Sequence, residues 1–209
     1  MRTLLQLNTS LFSNQGQSSR LADEFVANWR AENPAGEAIV RDLAKDPIPH
    51  LTGERFQAFL TAPEKRTEAQ HAEAGISDAL VSELQRADAV VIGLPLYNFG
   101  VPSTLKAYFD HVARAGITFR YTSNGPEGLL KGKKAYVFAT RGGVYAGTPR
   151  DTQTAFVRDF LAFLGITDIE FVYAEGLAMG DAVRDPALEQ ATIAAQRLGR
   201  GERALRLAA

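Results

Sequence analysis

Three short segments concentrate the side chains that could hold a ligand. The first is Asn8-Thr9-Ser10-Leu11-Phe12-Ser13-Asn14-Gln15-Gly16-Gln17-Ser18-Ser19-Arg20, rich in hydroxyls and amides with one glycine. It contains neither the G-x-G-x-x-G of a dinucleotide site nor the G-K-[ST] of a Walker loop, which argues against ATP and a Rossmann-type NAD site. Free N–H groups at a helix start, with Ser10, Gly16, Gln17 and Ser18 around them, suit a phosphate monoester. A polar loop with Ser18 as helix N-cap is the other reading. The second segment, Pro95 to Ser103, places Leu96, Tyr97, Asn98 and Phe99 after an apolar run. Asn98 and nearby backbone N–H groups could bond a ring edge, or the aromatics could pack inward in a tight loop. The third, Thr140-Arg141-Gly142-Gly143-Val144-Tyr145, has paired glycines that let a backbone approach a ligand closely, with Tyr145 as a cap. A Gly-Gly turn after a strand is also common for purely structural reasons.

Together the three segments describe a site for a mononucleotide with a flat ring. The first takes the phosphate and the other two the ring edge. Flavin mononucleotide (FMN) fits, and backbone N–H donors at the ring would favour its reduced state.

The elements that must position these segments follow from hydrophobic periodicity. Thr3–Leu7, Glu37–Asp42, Ala89–Leu94, Ala135–Thr140 and Ile169–Ala174 read as strands, and the unbroken apolar run at Ala89–Leu94 marks burial on both faces. Helices are expected from Ser18, over Thr67–Arg86, Thr104–Arg114 and Phe156–Leu164, and from Pro186 to the C-terminus. In the first, Leu21, Ala22, Phe25, Val26 and Trp29 share one face. In the third, Lys106 and Asp110 pair outward at i, i+4. Leu43–Pro63, with its three prolines, reads as a long loop around a brief helix. Strand–helix alternation implies a parallel sheet covered on both faces, which binds ligands beyond its strand carboxyl ends. No linker or repeat appears, so residues 1–209 are expected to form a single domain.

Composition narrows the chemistry. The 209 residues carry 23 Lys and Arg against 24 Asp and Glu, a net charge of −1. That balance does not advertise a nucleic-acid partner. There is no cysteine, hence no disulfide, thiolate nucleophile or iron–sulfur ligand. The opening residues are too briefly apolar for a signal peptide or a membrane span. A cytoplasmic protein without membrane contact is expected. His50, His71 and His111 lack metal-ligand spacing and read as surface or capping residues, so no metal is expected. Arg197, Arg200, Arg203 and Arg206 read as a solvated basic tail.

Pro95-Leu96-Tyr97-Asn98-Phe99 followed by Val101-Pro102 and Leu105-Lys106 resembles the ring-binding loop of the FMN-dependent NADH azoreductases, flavodoxin-like quinone and azo reductases. The likeness continues through Ala115-Gly116-Ile117-Thr118-Phe119-Arg120-Tyr121, Asn124 to Gly128, Gly132-Lys133-Lys134, Thr140 to Gly143, Phe163 to Asp168 and Ala174-Glu175-Gly176. It implies a flavodoxin-like, doubly wound α/β fold with a five-stranded parallel sheet in the order 2-1-3-4-5. It implies that Ser10, Gly16, Gln17 and Ser18 hold the phosphate end, and that Leu96 to Phe99 and Thr140 to Gly143 hold the ring. It implies a homodimer with active sites at the interface, where Phe119, Tyr121, Tyr145 and Phe163 line the substrate pocket, some from the partner subunit. Helical spacing alone would put Phe156, Phe160 and Phe163 in the core.

The implied activity passes two electrons from NADH, or NADPH, through FMN to quinones and azo compounds by a ping-pong scheme in one shared site, with no catalytic side chain. A 2′-phosphate would need a cation such as Arg55 or Arg120, both of which also read as surface charges. Leu96 stands where Met is frequent, Gly100 where larger residues are usual and Tyr145 where some members have His. The first swap conserves volume, while the other two bear on substrate preference. A non-enzymatic flavodoxin-like electron carrier is the alternative, although such carriers are shorter and more acidic. A flavin-free regulatory protein on the same scaffold is a further one.

Overall fold

The computed structural model describes residues 2–202. In chain order these form β1 (Thr3–Asn8), α1 (Gln17–Glu32), β2 (Glu37–Asp42), α2 (Gly53–Leu60), α3 (Glu68–Arg86), β3 (Ala89–Pro95), α4 (Ser103–Val112), β4 (Phe119–Thr122), β5 (Gly125–Gly128), β6 (Lys134–Thr140), α5 (Thr152–Leu164), β7 (Asp168–Ala174) and α6 (Asp181–Gly199). Five strands pair in parallel in the order β2-β1-β3-β6-β7, which is 2-1-3-4-5 when only this sheet is counted. This is the doubly wound, flavodoxin-like arrangement expected from the sequence.

Alternate strand residues divide the core into two layers. Leu5, Leu7, Val90 and Ile92 pack with Leu80 and Leu84 of α3, Tyr108 and Phe109 of α4, and Val157 and Leu161 of α5. Leu4, Val91 and Phe138 pack on the opposite face with Leu21, Phe25 and Trp29 of α1 and Ala191, Ala195 and Leu198 of α6. The apolar face predicted for α1 is buried throughout. Such two-sided burial is why β3 is apolar along its length. Phe156, Phe160 and Phe163 pack against the first layer, and Phe160 stacks on Phe109 with centroids 4.0 Å apart. The expected Lys106–Asp110 pair forms at 2.6 Å.

Several local expectations change. The N-cap of α1 is Gly16, with extended backbone, and Ser18 lies inside the first turn. The preference for Ser at N-caps misplaces the start because a glycine supplies the same backbone conformation without a side-chain bond. Helix α6 starts at Asp181 and runs through Pro186, five residues earlier than expected. Of the basic tail, Arg197 and Arg200 pair with Glu202, while Arg203 and Arg206 lie outside the described residues. The antiparallel hairpin β4–β5 is additional. Its second strand, Gly-Pro-Glu-Gly, carries little strand propensity. It is held by tertiary contact: a Cβ on Gly128 would fall onto the backbone of Leu164 and Gly165, where α5 ends in a left-handed residue.

His111 is fully buried rather than at the surface. Its Nε2–H donates to the Pro49 carbonyl at 2.9 Å, tying the proline-rich segment to α4. Burial holds its imidazole below the ordinary value despite the raising effect of that bond. Among the described residues, no helix is long and apolar enough to cross a membrane.

Two outcomes follow. Gly128→Ala should lower stability by about 1–3 kcal/mol through steric overpacking at the hairpin seat, measured by urea unfolding. The unfolded chain protonates His111 before the folded one does, so stability should fall as pH drops below about 6.5. Urea midpoints across pH 7.5 to 5.5 should show that loss in the native chain and a smaller one in His111→Gln.

Candidate active site

The carboxyl ends of β1, β3 and β6 lead into the three segments singled out above. After β1, the first hydrogen bond of the α1 ladder runs from the Arg20 N–H to the Gly16 carbonyl at 3.0 Å. The N–H groups of Gln17, Ser18 and Ser19 therefore precede the ladder. Ser18 and Ser19 are fully buried, and among the described residues neither hydroxyl has a hydrogen-bond partner. An unmade buried bond costs about 1–3 kcal/mol, so such a pair at a helix N-terminus marks a place for an anion. Ser10 is buried beside them, and a Cβ on Gly16 would collide with its Oγ. Sequence reasoning passed over Ser19, although it directly follows Ser18 in the same polar run.

This cradle sits directly on the central strand. A Cβ on Gly93 would lie 2.9 Å from the Ser18 carbonyl oxygen. Only a glycine in β3 lets the α1 terminus come so low over the strand ends.

After β3, Tyr97 and Gly100 bond each other reciprocally, N–H to carbonyl, at 2.9 and 3.3 Å. Between them Asn98 and Phe99 adopt φ of 50° and 59°. Two consecutive non-glycine residues in the left-handed region store strain that surrounding structure must hold. The Tyr97 hydroxyl lies 3.3 Å from the Ser10 Oγ and accepts from the Leu11 N–H at 3.3 Å, linking the ring loop to the phosphate cradle. The Leu96 N–H donates to the Thr140 carbonyl at 2.9 Å, linking the second and third segments.

After β6, Gly142 and Gly143 face the Asn98–Phe99 turn. A cleft of about 460 Å³ is lined by Leu96, Asn98, Phe99, Gly142, Gly143, Tyr145 and Ala178. Its lining contains no carboxylate and no histidine. Tyr145 folds over Gly143 and meets Phe99 edge-on, with centroids 5.7 Å apart. Sequence reasoning missed Ala178, which reaches the cleft because its N–H donates to the Gly142 carbonyl at 2.9 Å. That contact joins segments far apart in sequence.

Two groups of expected site residues lie elsewhere in this chain. Arg141 is in the right loop, but its side chain is fully buried and bonded to Glu175 and Asp151. Phe119 and Phe163 pack together at 4.3 Å, and Tyr121 meets Phe119 edge-on at 5.4 Å and is largely exposed. None of these three lines the cleft of the same chain. Arg55 and Arg120 are ion-paired with Glu73 and Glu127.

The unpartnered hydroxyls, the open helix terminus and the adjoining cleft fit the phosphate and ring of FMN. The sequence profile of the flavodoxin-like fold family matches residues 2–198. The chain belongs to this flavodoxin-like family. Among its relatives is the FMN-dependent NADH:quinone oxidoreductase of Cellvibrio japonicus, 57% identical over 180 residues, covering 86% of this chain and 90% of that one. The FMN-dependent NADH:quinone oxidoreductase 6 of Burkholderia lata is 53% identical over 188 residues, covering 90% and 95%. Among solved flavodoxin-like structures, an azoreductase from Bacillus anthracis superposes with a TM-score of 0.88 at 27% identity, covering 96% of this chain and all of that one. An FMN-dependent NADH-azoreductase from the same species, in complex with FMN, gives 0.84 at 26% identity, covering 95% and 100%.

Ser18→Ala should separate stability from binding. Removing an unsatisfied hydroxyl should leave the flavin-free protein as stable as the parent, or more stable by up to about 1 kcal/mol. Affinity for FMN should fall about tenfold, while affinity for riboflavin, which lacks the phosphate, should not change. Fluorescence titration with both flavins checks this.

Proposed function

We propose that this protein is an FMN-dependent NADH:quinone oxidoreductase that also accepts azo compounds. The observation that carries the reading is the pair of buried, unpartnered hydroxyls of Ser18 and Ser19 at the open end of α1, beside a cleft between two loops that present backbone N–H groups. The quinone oxidoreductases and azoreductases named above give this site its chemistry.

Ser10, Gly16, Gln17, Ser18 and Ser19 hold the phosphate of FMN. Leu96 to Phe99 and Gly142–Gly143 hold its ring, with Thr140 fixing the register between the two loops. Bound FMN supplies two-electron transfer between the nicotinamide donor and the acceptor. The protein's part is to fix a flat face, orient both substrates against it and keep water from its edge. Since the cleft offers no carboxylate or imidazole, no side chain is assigned as acid or base. NADH and acceptor use the same opening in turn, which gives ping-pong kinetics. NADH is the donor in preference to NADPH, because Arg55 and Arg120 are already committed to carboxylates.

Residues 1–209 work as one domain, in the cytoplasm, as a homodimer. Phe119, Tyr121 and Phe163 reach the active site from the partner subunit, consistent with the exposure of Tyr121 and with their absence from the cleft of their own chain. Tyr145 acts within its own subunit.

The visible spectrum of purified protein before and after NADH tests the cofactor and the donor together. A flavin band that bleaches with NADH and recovers with a quinone is expected, with parallel lines in double-reciprocal plots. Intersecting lines would reject the shared opening, and bound flavin without turnover would indicate an electron carrier. Tyr97→Ala and Gly142→Val should each lower FMN retention, and normal flavin content in both would refute the ring placement.

A further inference from the structure

We propose that Arg141 and Glu175 are positioning residues that lock the two ring-binding loops into one unit. The inference rests on the reading of the cleft as the flavin-ring site. Arg141 follows β6 directly, yet its guanidinium turns into the protein, with its side chain at 0% exposure. It lies between two carboxylates that are themselves nearly buried, Glu175 at 13% and Asp151 at 8%. Each carboxylate controls a different loop.

The Glu175 arm holds the third segment. Glu175 Oε1 accepts from Arg141 Nη1 at 3.1 Å and from the Tyr145 and Ala146 N–H groups at 2.8 and 2.9 Å. This fixes the chain immediately beyond Gly142 and Gly143. The N–H groups of Gly142 and Gly143 donate to nothing among the described residues and remain for the cleft.

The Asp151 arm holds the second segment. Arg141 Nη2 donates to Asp151 Oδ1 at 2.7 Å, and the same oxygen caps α5 by accepting from the Thr154 N–H at 3.0 Å. The two residues after the cap hold the strained turn from behind. The Thr152 hydroxyl donates to the Phe99 carbonyl, and Gln153 Nε2 donates to the Pro95 and Gly100 carbonyls, both at 2.9 Å. Burial works to raise the Asp151 carboxyl, but the bonds from Arg141 and Thr154 hold it below the usual carboxylate value. It thus remains charged against Arg141.

One guanidinium therefore sets the distance between two sets of ring-facing N–H groups without touching the ring. Charge-assisted bonds in a site this dry are stronger than neutral ones and little screened by salt. A loss on either arm is accordingly felt in both loops.

Amide hydrogen exchange on flavin-free Glu175→Gln, Asp151→Asn and the double variant tests this coupling. Glu175→Gln should speed exchange at Tyr145 and Ala146 and also, through Arg141, at Tyr97 and Gly100, by about tenfold. Asp151→Asn should do the same in the opposite direction, and the double variant should add little to either. Additive effects, each confined to its own loop, overturn the proposal.

The second readout is the FMN-loaded protein. Glu175→Gln should bind the reduced cofactor about tenfold less well relative to the oxidised one, which is a shift of about 30 mV to more negative midpoint potential for a two-electron couple. A merely structural carboxylate would leave that potential where it was, and an unchanged potential overturns the positioning role. If the parent protein fails to take up FMN, the function reading falls, while the exchange experiment still decides the coupling.

Discussion

A parallel sheet covered on both faces leaves only its strand ends free for chemistry, and this constraint organises the molecule. Helices α1 and α6 seal one face and α3, α4 and α5 the other. The polar groups that cannot join the core therefore collect where β1, β3 and β6 stop. The strand order puts β1 and β3 side by side and β6 next to β3. Three segments that lie far apart in sequence thereby become neighbours. Gly93 sets how closely they meet, because without a Cβ it lets the α1 terminus settle on the central strand.

At this edge the protein tolerates what it avoids elsewhere. Two buried serine hydroxyls lack partners among the described residues, and Asn98 and Phe99 both hold left-handed backbone. Each departure works against folding and persists because the large, well-packed core can carry it. The bonds that contain the strain come from behind, through Thr152 and Gln153 at the start of α5. The front of the site remains open to a flat ligand. Holding a reactive ring in this way asks for rigidity and aligned dipoles rather than for a nucleophile or a base, which agrees with a cysteine-free chain and a cleft without carboxylates.

Arg141 lies in a loop expected to hold the ring, directly after β6 and next to paired glycines. Buried between Asp151 and Glu175, it holds the loops while the neighbouring backbone faces the cleft. Asp151 lies 10 residues from it and Glu175 34 residues away, in different elements. No local spacing announces such a group.

Sequence alone determined the five parallel strands, the apolar face of α1 and the three loops at the strand ends. These depend on periodicities of two and 3.6 residues and on runs of apolar residues, which are local properties of the chain. The likeness to azoreductases added the strand order and supported the flavin that the three loops had suggested. Tertiary structure decided where α1 begins, that Ser19 and Ala178 join the site, that His111 is buried, and that β5 pairs with β4 despite its Gly-Pro-Glu-Gly sequence. Each of these depends on contacts between residues distant in sequence, such as Gly93 against Ser18 and Gly128 against Gly165. Close approach of backbones is a property of packed elements, so it leaves in the sequence little more than an unexplained glycine.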